Sequence, residues 1–123
     1  MGVRVLITGG AGLLGSHVAA PLVTHPGADL VVAGDVRRPE HPLANVIYDE
    51  CDVTRSGGLV PLLQRHDIDV VVHLAAIVNP GRDHDIEYRV DVEGTNNVLD
   101  ACVQTGVRRI VVSSSGAAYG YHS

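Results

Sequence analysis

Short aliphatic runs alternate with segments of helical periodicity along the whole chain, and turn residues separate the two kinds of segment. The apolar runs predict five strands, at residues 3–8, 30–33, 46–48, 70–74 and 109–113. The amphipathic segments predict three helices, at residues 13 to about 24, 59 to about 66, and about 85 to 104. Gly106 follows the last helix and is predicted to cap its C-terminus.

This alternation predicts an α/β fold in which crossover helices connect parallel strands. We expect a doubly wound sheet with its five strands in the order 3-2-1-4-5. The 123 residues are enough for one domain, so residues 1–123 are treated as a single unit. Apolar residues make up 46% of the chain and aromatic residues only 3%, so aliphatic side chains must fill the core.

Composition excludes several functions. A net charge of −5 argues against a general surface for nucleic acids or anionic membranes. With no apolar run of membrane-spanning length and a first strand that begins at Val3, we expect a cytoplasmic protein. Cys51 and Cys102 do not have metal-type spacing and are expected to be small buried residues. The seven histidines also lack metal-ligand spacing, so no metal site is predicted.

A glycine-rich turn follows the first strand directly. Residues 8–15 read Thr-Gly-Gly-Ala-Gly-Leu-Leu-Gly, with glycines at Gly9, Gly12 and Gly15 before a helical pattern. Glycines let a backbone turn tightly and approach phosphate groups closely. The free N–H groups of the following helix then face the negative charge. The turn therefore predicts a site for the pyrophosphate of a dinucleotide.

Asp35 strengthens this prediction and bears on the choice of cofactor. It ends the second strand, twenty positions after Gly15, where an acidic residue binds the adenosine ribose hydroxyls. A carboxylate at that place repels a 2′-phosphate, so NAD is favoured over NADP. Arg37 and Arg38 are either solvated loop residues or partners for the phosphate of NADP.

Taken together, the motifs resemble those of the extended short-chain dehydrogenase/reductases, the NAD-dependent nucleotide-sugar epimerases and dehydratases. In order, the motifs are the glycine turn at 8–15, Asp35, Asp52-Val53, His-Leu-Ala-Ala at 73–76, Asp-Val-Glu-Gly-Thr-Asn-Asn-Val-Leu at 91–99, and Ser-Ser-Ser-Gly-Ala-Ala-Tyr-Gly at 113–120. The resemblance covers the N-terminal part of that family's Rossmann-type fold. Because the chain ends ten residues after the fifth predicted strand, we expect a domain truncated before its later strands.

The resemblance implies a set of cofactor-binding residues. The glycines approach the pyrophosphate, Asp35 holds the adenosine ribose, and Asp52 and Val53 line the adenine pocket, where a carboxylate accepts from the adenine amino group. Small residues at the end of the fourth strand lie beneath the ribose and phosphates. The full set is Gly9, Gly12, Leu13, Leu14, Gly15, Asp35, Asp52, Val53, Leu74, Ala75, Ala76, Ser113 and Ser114.

The resemblance also implies a catalytic residue, Ser115, which hydrogen-bonds the substrate group that gains or loses hydride. The family's other catalytic groups are the tyrosine and lysine of a Tyr-x-x-x-Lys pair. The chain contains no lysine, and Tyr119 and Tyr121 follow Ser115 too closely to be that tyrosine. The 123-residue chain alone is therefore expected to bind cofactor without turnover. Asp91 replaces an asparagine that is frequent in the family, which puts any hydrogen bond inferred from that asparagine in question.

The sequence leaves the following readings open. The favoured one is the cofactor-binding part of an NAD-dependent epimerase or dehydratase-like oxidoreductase, with a nucleotide-sugar substrate. The chief alternative is a non-catalytic NAD(P)-binding or sensing protein of the same fold. A weaker one is a flavin or S-adenosylmethionine binder. Because the fifth strand is predicted to be an unprotected edge, a homodimer or a self-associating fragment is expected.

Overall fold

The structure is a computed structural model, and it describes residues 2–74 and 92–113. Within these ranges the chain forms, in order, β1 (Val3–Thr8), α1 (Leu13–Val23), β2 (Ala28–Asp35), β3 (Ile47–Glu50), α2 (Leu59–Arg65), β4 (Val70–Leu74), α3 (Gly94–Thr105) and β5 (Arg109–Ser113). The predicted bounds of β1, β4 and β5 are confirmed.

The described strands form one parallel sheet in the order β3-β2-β1-β4-β5, which confirms the predicted doubly wound topology. The register aligns the carboxyl ends of the central strands. Thr8 of β1 lies opposite Gly34 of β2 and His73 of β4. In doubly wound sheets, ligands bind at this edge, where the strand order reverses.

Successive residues of each strand face opposite sides of the sheet, and each side packs against different helices. Leu6, Val32 and Val71 are buried in one cluster with the apolar residues of α2 and α3. Val5, Ile7 and Val31 are buried in a second cluster with Ala19 of α1. The helices therefore cover both faces of the sheet, and aliphatic side chains fill both clusters.

The second strand is longer than the predicted residues 30–33. Its pairing with β1 begins at Ala28, opposite Val3, although Asp29 interrupts the apolar pattern. The Val3 N–H also donates to the Gly27 carbonyl oxygen at 2.8 Å. Pairing with the first strand therefore sets the length of β2, whereas the apolar run marks only its buried part.

The third strand lies at residues 47–50 rather than the predicted 46–48, because polar residues take part in it. Asp49 and Glu50 pair with Gly34 and Asp35 of β2. The Asp49 carboxylate accepts hydrogen bonds from Arg65 at 2.8 Å and from the His66 ring at 2.9 Å. The His66 hydrogen bond, aided by Arg65, holds the pKa of Asp49 below its ordinary value. An edge strand accommodates such a carboxylate because the neighbouring helix supplies its partners.

The helices agree with prediction to within a residue or two where they are described. α1 ends at Val23 and α2 at Arg65. The long helix is described from Gly94 to Thr105, and its predicted residues 85–91 lie outside the described residues. Gly106 has φ +76° and caps this helix as predicted. No helix in the described part of the chain is both long and apolar enough to cross a bilayer.

The start of α1 packs directly on the glycine turn. A Cβ atom on Gly15 would lie 2.5 Å from the Gly10 Cα, closer than any real contact. A Cβ on Gly10 would in turn lie 2.6 Å from the Ala33 Cβ on β2. Gly15 thus serves the packing of the helix against the turn, while Gly12 has only the Gly9 carbonyl oxygen near its Cβ position, at 3.7 Å.

We therefore predict different effects of the same substitution at two glycines of this segment. Gly15→Ala forces the turn and helix apart and should lower the free energy of unfolding by about 1–3 kcal/mol. Gly12→Ala meets only ordinary contacts and should stay within about 0.5 kcal/mol of the parent. Urea denaturation of both variants measures this, and equal midpoints for the two would contradict the packing role of Gly15.

Candidate cofactor-binding site

Hydrogen bonds between the ends of β1 and β2 hold the glycine turn. Gly9 adopts a left-handed conformation, with φ +69°. This lets the N–H groups of Gly9 and Gly10 both donate to the Gly34 carbonyl oxygen, at 2.8 and 3.2 Å. A residue with a side chain at position 9 would adopt this conformation only with strain. The turn is therefore fixed in place by backbone contacts.

The N-terminus of α1 lies open at the end of this turn. Gly12 is the N-cap residue with extended backbone, and no side chain of the described residues caps the helix. The N–H groups of the first helical turn carry a partial positive charge and attract anions. Leu13 and Leu14 beside them are 76% and 45% exposed, which is unusual for leucines next to a buried sheet. An anionic ligand with an apolar part would cover both features.

Asp35 lies beside the turn and is hydrogen-bonded to it. Its Oδ2 atom accepts the Ala11 N–H at 3.1 Å, and its Oδ1 atom accepts the Arg37 N–H at 3.2 Å. The structure thus brings the predicted ribose-binding carboxylate into direct contact with the predicted phosphate-binding turn. Each oxygen retains a lone pair for a further donor, such as a ribose hydroxyl.

An open groove of about 660 Å³ begins at Asp35 and extends along the loop after β2. Arg37 and Arg38 line it together with Tyr48 and Glu50 of β3. The two arginines are exposed, so they belong to the surface of this groove rather than to the core. The charges along the groove are therefore mixed, with carboxylates on the strand side and guanidinium groups on the loop side.

Asp52 and Val53 follow β3 at the same edge of the sheet. The Asp52 Oδ1 atom accepts hydrogen bonds from the hydroxyl and the N–H of Thr54, and these hold the pKa of Asp52 below its ordinary value. The Val53 carbonyl oxygen accepts the side-chain amide of Asn97 on α3 at 2.8 Å. A Cβ on Gly94 would lie 2.8 Å from a Val53 methyl group, so α3 contacts this loop closely.

A buried polar network lies beneath the turn. The Thr8 hydroxyl accepts the Leu74 N–H at 3.2 Å and lies 2.7 Å from Nδ1 of His73. Nε2 of His73 lies 3.0 Å from the Thr95 hydroxyl on α3. His73 is buried, and hydrogen bonds within the strand-end network satisfy its ring. The network links the ends of β1 and β4 to the start of α3.

The remaining predicted residues are only partly covered by the structure. Leu74 ends β4 beside Gly9. A Cβ atom on Gly9 would lie 3.7 Å from the Cβ and from the carbonyl oxygen of Leu74. Ser113 ends β5 opposite Leu74. Ala75, Ala76, Ser114 and the predicted catalytic Ser115 lie outside the described residues, as does Asp91. Their roles remain predictions from the sequence.

Both cysteines are buried free thiols, as expected. Burial raises the pKa of the Cys51 thiol to about 12, and the carboxylates of Asp52, Asp35 and Asp49 add to the effect. The thiol therefore stays protonated at neutral pH and is no nucleophile. Within the described ranges, no three His, Cys, Asp or Glu residues cluster as metal ligands.

Sequence reasoning assigned no role to four residues that shape this site: Gly10, Gly34, Gly94 and Asn97. The glycines allow close approaches, since a Cβ on Gly34 would lie 2.9 Å from the Cys51 Cβ. The sequence offered a signal for Gly10, which doubles the glycine at position 9, and for Gly34, which directly precedes Asp35. The contact between Asn97 and Val53 spans 44 positions, and nothing in the local sequence indicates it.

These features define a doubly wound α/β domain in which a glycine turn and an uncapped helix N-terminus lie next to a carboxylate. A model of the NAD dependent epimerase/dehydratase family matches residues 5–123. The UDP-glucose 4-epimerase of Azospirillum brasilense is 35% identical over 127 residues, which cover 95% of this chain and 35% of that protein. The chain belongs to the NAD-dependent epimerase/dehydratase family.

Solved structures agree with this assignment. The Bordetella bronchiseptica enzyme WbmG, in complex with NAD and UDP, matches with a TM-score of 0.76 at 29% identity, over 91% of this chain and 37% of that one. The UDP-glucose 4-epimerase of Thermus thermophilus, in complex with NAD, has a TM-score of 0.74 at 27% identity, over 87% of this chain and 36% of that one. The chain thus spans little more than a third of the length of each of these three relatives.

The Thr8 network yields a prediction about stability. Thr8→Val keeps the side-chain shape but removes the hydroxyl that contacts both Leu74 and His73, so it should cost about 1–3 kcal/mol of unfolding free energy. The matched control is Thr24→Val, at an exposed helix end where the hydroxyl bonds only the Pro21 carbonyl oxygen, at 3.3 Å. Thermal unfolding followed by circular dichroism compares them. A Thr8→Val midpoint as high as that of the control would show that the network does not stabilise the fold.

Proposed function

We propose that the chain is the NAD-binding part of an NAD-dependent epimerase/dehydratase-type oxidoreductase that acts on a nucleotide sugar. One observation carries the proposal: the uncapped N-terminus of α1, at Gly12, opens beside a carboxylate that is hydrogen-bonded to the same turn. The relatives support it, because two of their structures hold NAD and one of those also holds UDP. A cytoplasmic location is part of the same proposal.

The residues at the sheet edge fit the parts of NAD in order. Backbone N–H groups at the start of α1, at Leu13 and Leu14, face the pyrophosphate. Gly9 and Gly12 let the phosphates approach the backbone, while Gly15 keeps the helix close to the turn. Asp35 accepts the adenosine ribose hydroxyls. Asp52 and Val53 border the adenine. Leu74, at the end of β4, is proposed to lie beneath the ribose and phosphates together with Ala75 and Ala76. Ser113 and Ser114 are proposed to contact the cofactor as well.

When bound, NAD supplies a nicotinamide ring that takes up and returns hydride. Ser115 is proposed to hydrogen-bond the substrate oxygen at the carbon that exchanges this hydride. The family's route also needs a tyrosine acid/base whose pKa a lysine lowers, and the 123 residues contain no lysine. The proposal therefore assigns cofactor binding to this chain and turnover to a protein that supplies that pair.

The first prediction from this proposal is tighter binding of NAD than of NADP. The 2′-phosphate would lie against the Asp35 carboxylate, and such like-charge contacts cost several kcal/mol, so we expect a preference of at least about tenfold. Asp35→Ala should narrow it, because the substitution removes a hydrogen bond to NAD and a repulsion toward NADP. Isothermal titration calorimetry with both dinucleotides measures the ratio.

Asp29→Ala is the matched control, since Asp29 lies at the opposite end of β2 and bonds the Gly2 N–H. It should leave the ratio unchanged. Equal or tighter NADP binding by the parent chain would mean that Arg37 and Arg38 outweigh Asp35.

The second prediction concerns Gly12. The methyl groups of a valine at this position would occupy the open space in front of the helix N-terminus, where the pyrophosphate is proposed to bind. Gly12→Val should therefore abolish NAD binding and leave the far-ultraviolet circular dichroism spectrum unchanged. Ala20→Val, on an exposed part of α1, is the control and should bind normally. Retained binding by Gly12→Val would show that the cofactor lies elsewhere.

Self-association is the third prediction. β5 pairs with β4 on one side only among the described strands, and Val111 is 49% exposed. On α3, Val103 is 83% exposed and Leu99 39%. Unpaired strand edges and exposed apolar side chains favour association, so we propose a homodimer or a larger assembly.

Light scattering should show a mass above that of a monomer. Val103→Glu should reduce this mass, whereas Val36→Glu should leave it unchanged. A stable monomer at high concentration would contradict this.

A further inference from the structure

Helix α3 holds the loop that carries the proposed adenine-binding residues. The Asn97 side-chain amide donates to the Val53 carbonyl oxygen at 2.8 Å, and Asn97 is half-buried. One helical turn earlier, Gly94 contacts the same residue, because a Cβ there would lie 2.8 Å from a Val53 methyl group. The peptide that follows Asp52 is therefore fixed by a hydrogen bond and by close packing.

The Asp52 carboxylate itself is oriented by its own turn. Its Oδ1 atom accepts from the hydroxyl and the N–H of Thr54, and the Arg55 N–H donates to the Asp52 carbonyl oxygen at 3.1 Å. Among the described residues, the second oxygen, Oδ2, has one contact with an oppositely charged group, at 3.8 Å from Nε of Arg55, whose side chain is 81% exposed. This oxygen is consequently available to accept a hydrogen bond from a ligand.

Of these two sets of contacts, only those from α3 fix the position of the loop relative to the rest of the domain. The Thr54 contacts move with the loop because they lie within it, so they cannot fix its distance from the rest of the site. The Asn97 amide and Gly94 are contributed by α3, which packs in the core through Val98, Ala101 and Cys102. Asn97 thus connects the loop to the rigid part of the domain.

We propose that Asn97 is a positioning residue for base selectivity, which holds the Asp52-Val53 peptide so that Asp52 accepts the exocyclic amino group of adenine. The inference rests on the proposed NAD-binding function. It means that a residue that does not touch the ligand determines whether the site prefers an amino group or a carbonyl oxygen on the purine. A neutral amide suits this task. A carboxylate at position 97 would place an oxygen against the Val53 carbonyl oxygen and push the loop away.

The test compares NAD with nicotinamide hypoxanthine dinucleotide, which carries a carbonyl oxygen in place of the adenine amino group. A carboxylate that accepts from the amino group should give the parent chain a preference for NAD of about tenfold. Asn97→Asp should reduce the ratio of the two dissociation constants to near one. Asn96→Asp adds the same charge at the neighbouring exposed position and should keep the parent ratio.

Asn97→Ala is the second variant, because it removes the amide without adding a charge, and Asn96→Ala is its control. In an Asp52→Asn background, which should itself lose the preference, Asn97→Ala should have no further effect on the ratio. Circular dichroism of each variant first establishes that it is folded. The ratio is the decisive measurement, since a purely structural role of Asn97 would weaken both dinucleotides equally.

The outcomes separate this inference from the function on which it rests. If the parent binds neither dinucleotide, the proposed function fails, and this inference with it. If the parent prefers NAD and both folded Asn97 variants keep that preference, or lose both ligands equally, the function stands and the inference is overturned. Unfolded Asn97 variants, or a parent without base preference, would also overturn it.

Discussion

The close approach of three backbone segments is the constraint on which the rest of the structure depends. The turn after β1, the end of β2 and the start of α1 meet where a Cβ on Gly10 or Gly15 would lie 2.6 Å or less from another residue. Because they meet, the Gly34 carbonyl oxygen can accept both N–H groups of the turn. The N-terminus of α1, which begins one residue after this turn, is open because Gly12 has no side chain with which to cap the helix.

The polar groups around this contact are satisfied from several elements at once. Thr8 and His73 join β1 to β4 and α3, and Asp35 joins β2 to the turn. Buried polar groups are costly when they lack partners, so each hydrogen bond favours the one arrangement in which all of them form. The elements that border the site therefore cannot shift independently. At the same edge, burial raises the pKa of the Cys51 thiol, and the nearby carboxylates of Asp52, Asp35 and Asp49 add to the effect.

The bounds of a strand could be predicted from the sequence where its apolar run coincides with its pairing. This holds for β1, β4 and β5 and for the order of the strands. β3 differed because its edge position admits Asp49, whose partners are Arg65 at the end of α2 and His66 directly after it. A local sequence pattern does not indicate such distant partners. The spacing of the glycines predicted the turn, but only the packing of Gly15 on Gly10 separates its role from that of Gly12. Contacts such as that of Asn97 with Val53 depend on the tertiary fold alone.

The protein has a net charge of −5 and is proposed to bind an anionic dinucleotide, so repulsion between the two must be overcome at the site. Charges more than about 8 Å apart are largely screened at physiological ionic strength, so most of the surface carboxylates contribute little at the pyrophosphate. The N–H groups at the start of α1 act on a ligand at contact distance, where screening is weakest. In the proposed site, Asp35 and Asp52 face hydroxyl and amino hydrogens of the ligand rather than phosphate oxygens. We propose that this separation of backbone donors from side-chain carboxylates along the sheet edge is how an acidic domain binds NAD and disfavours a ligand that carries one more phosphate.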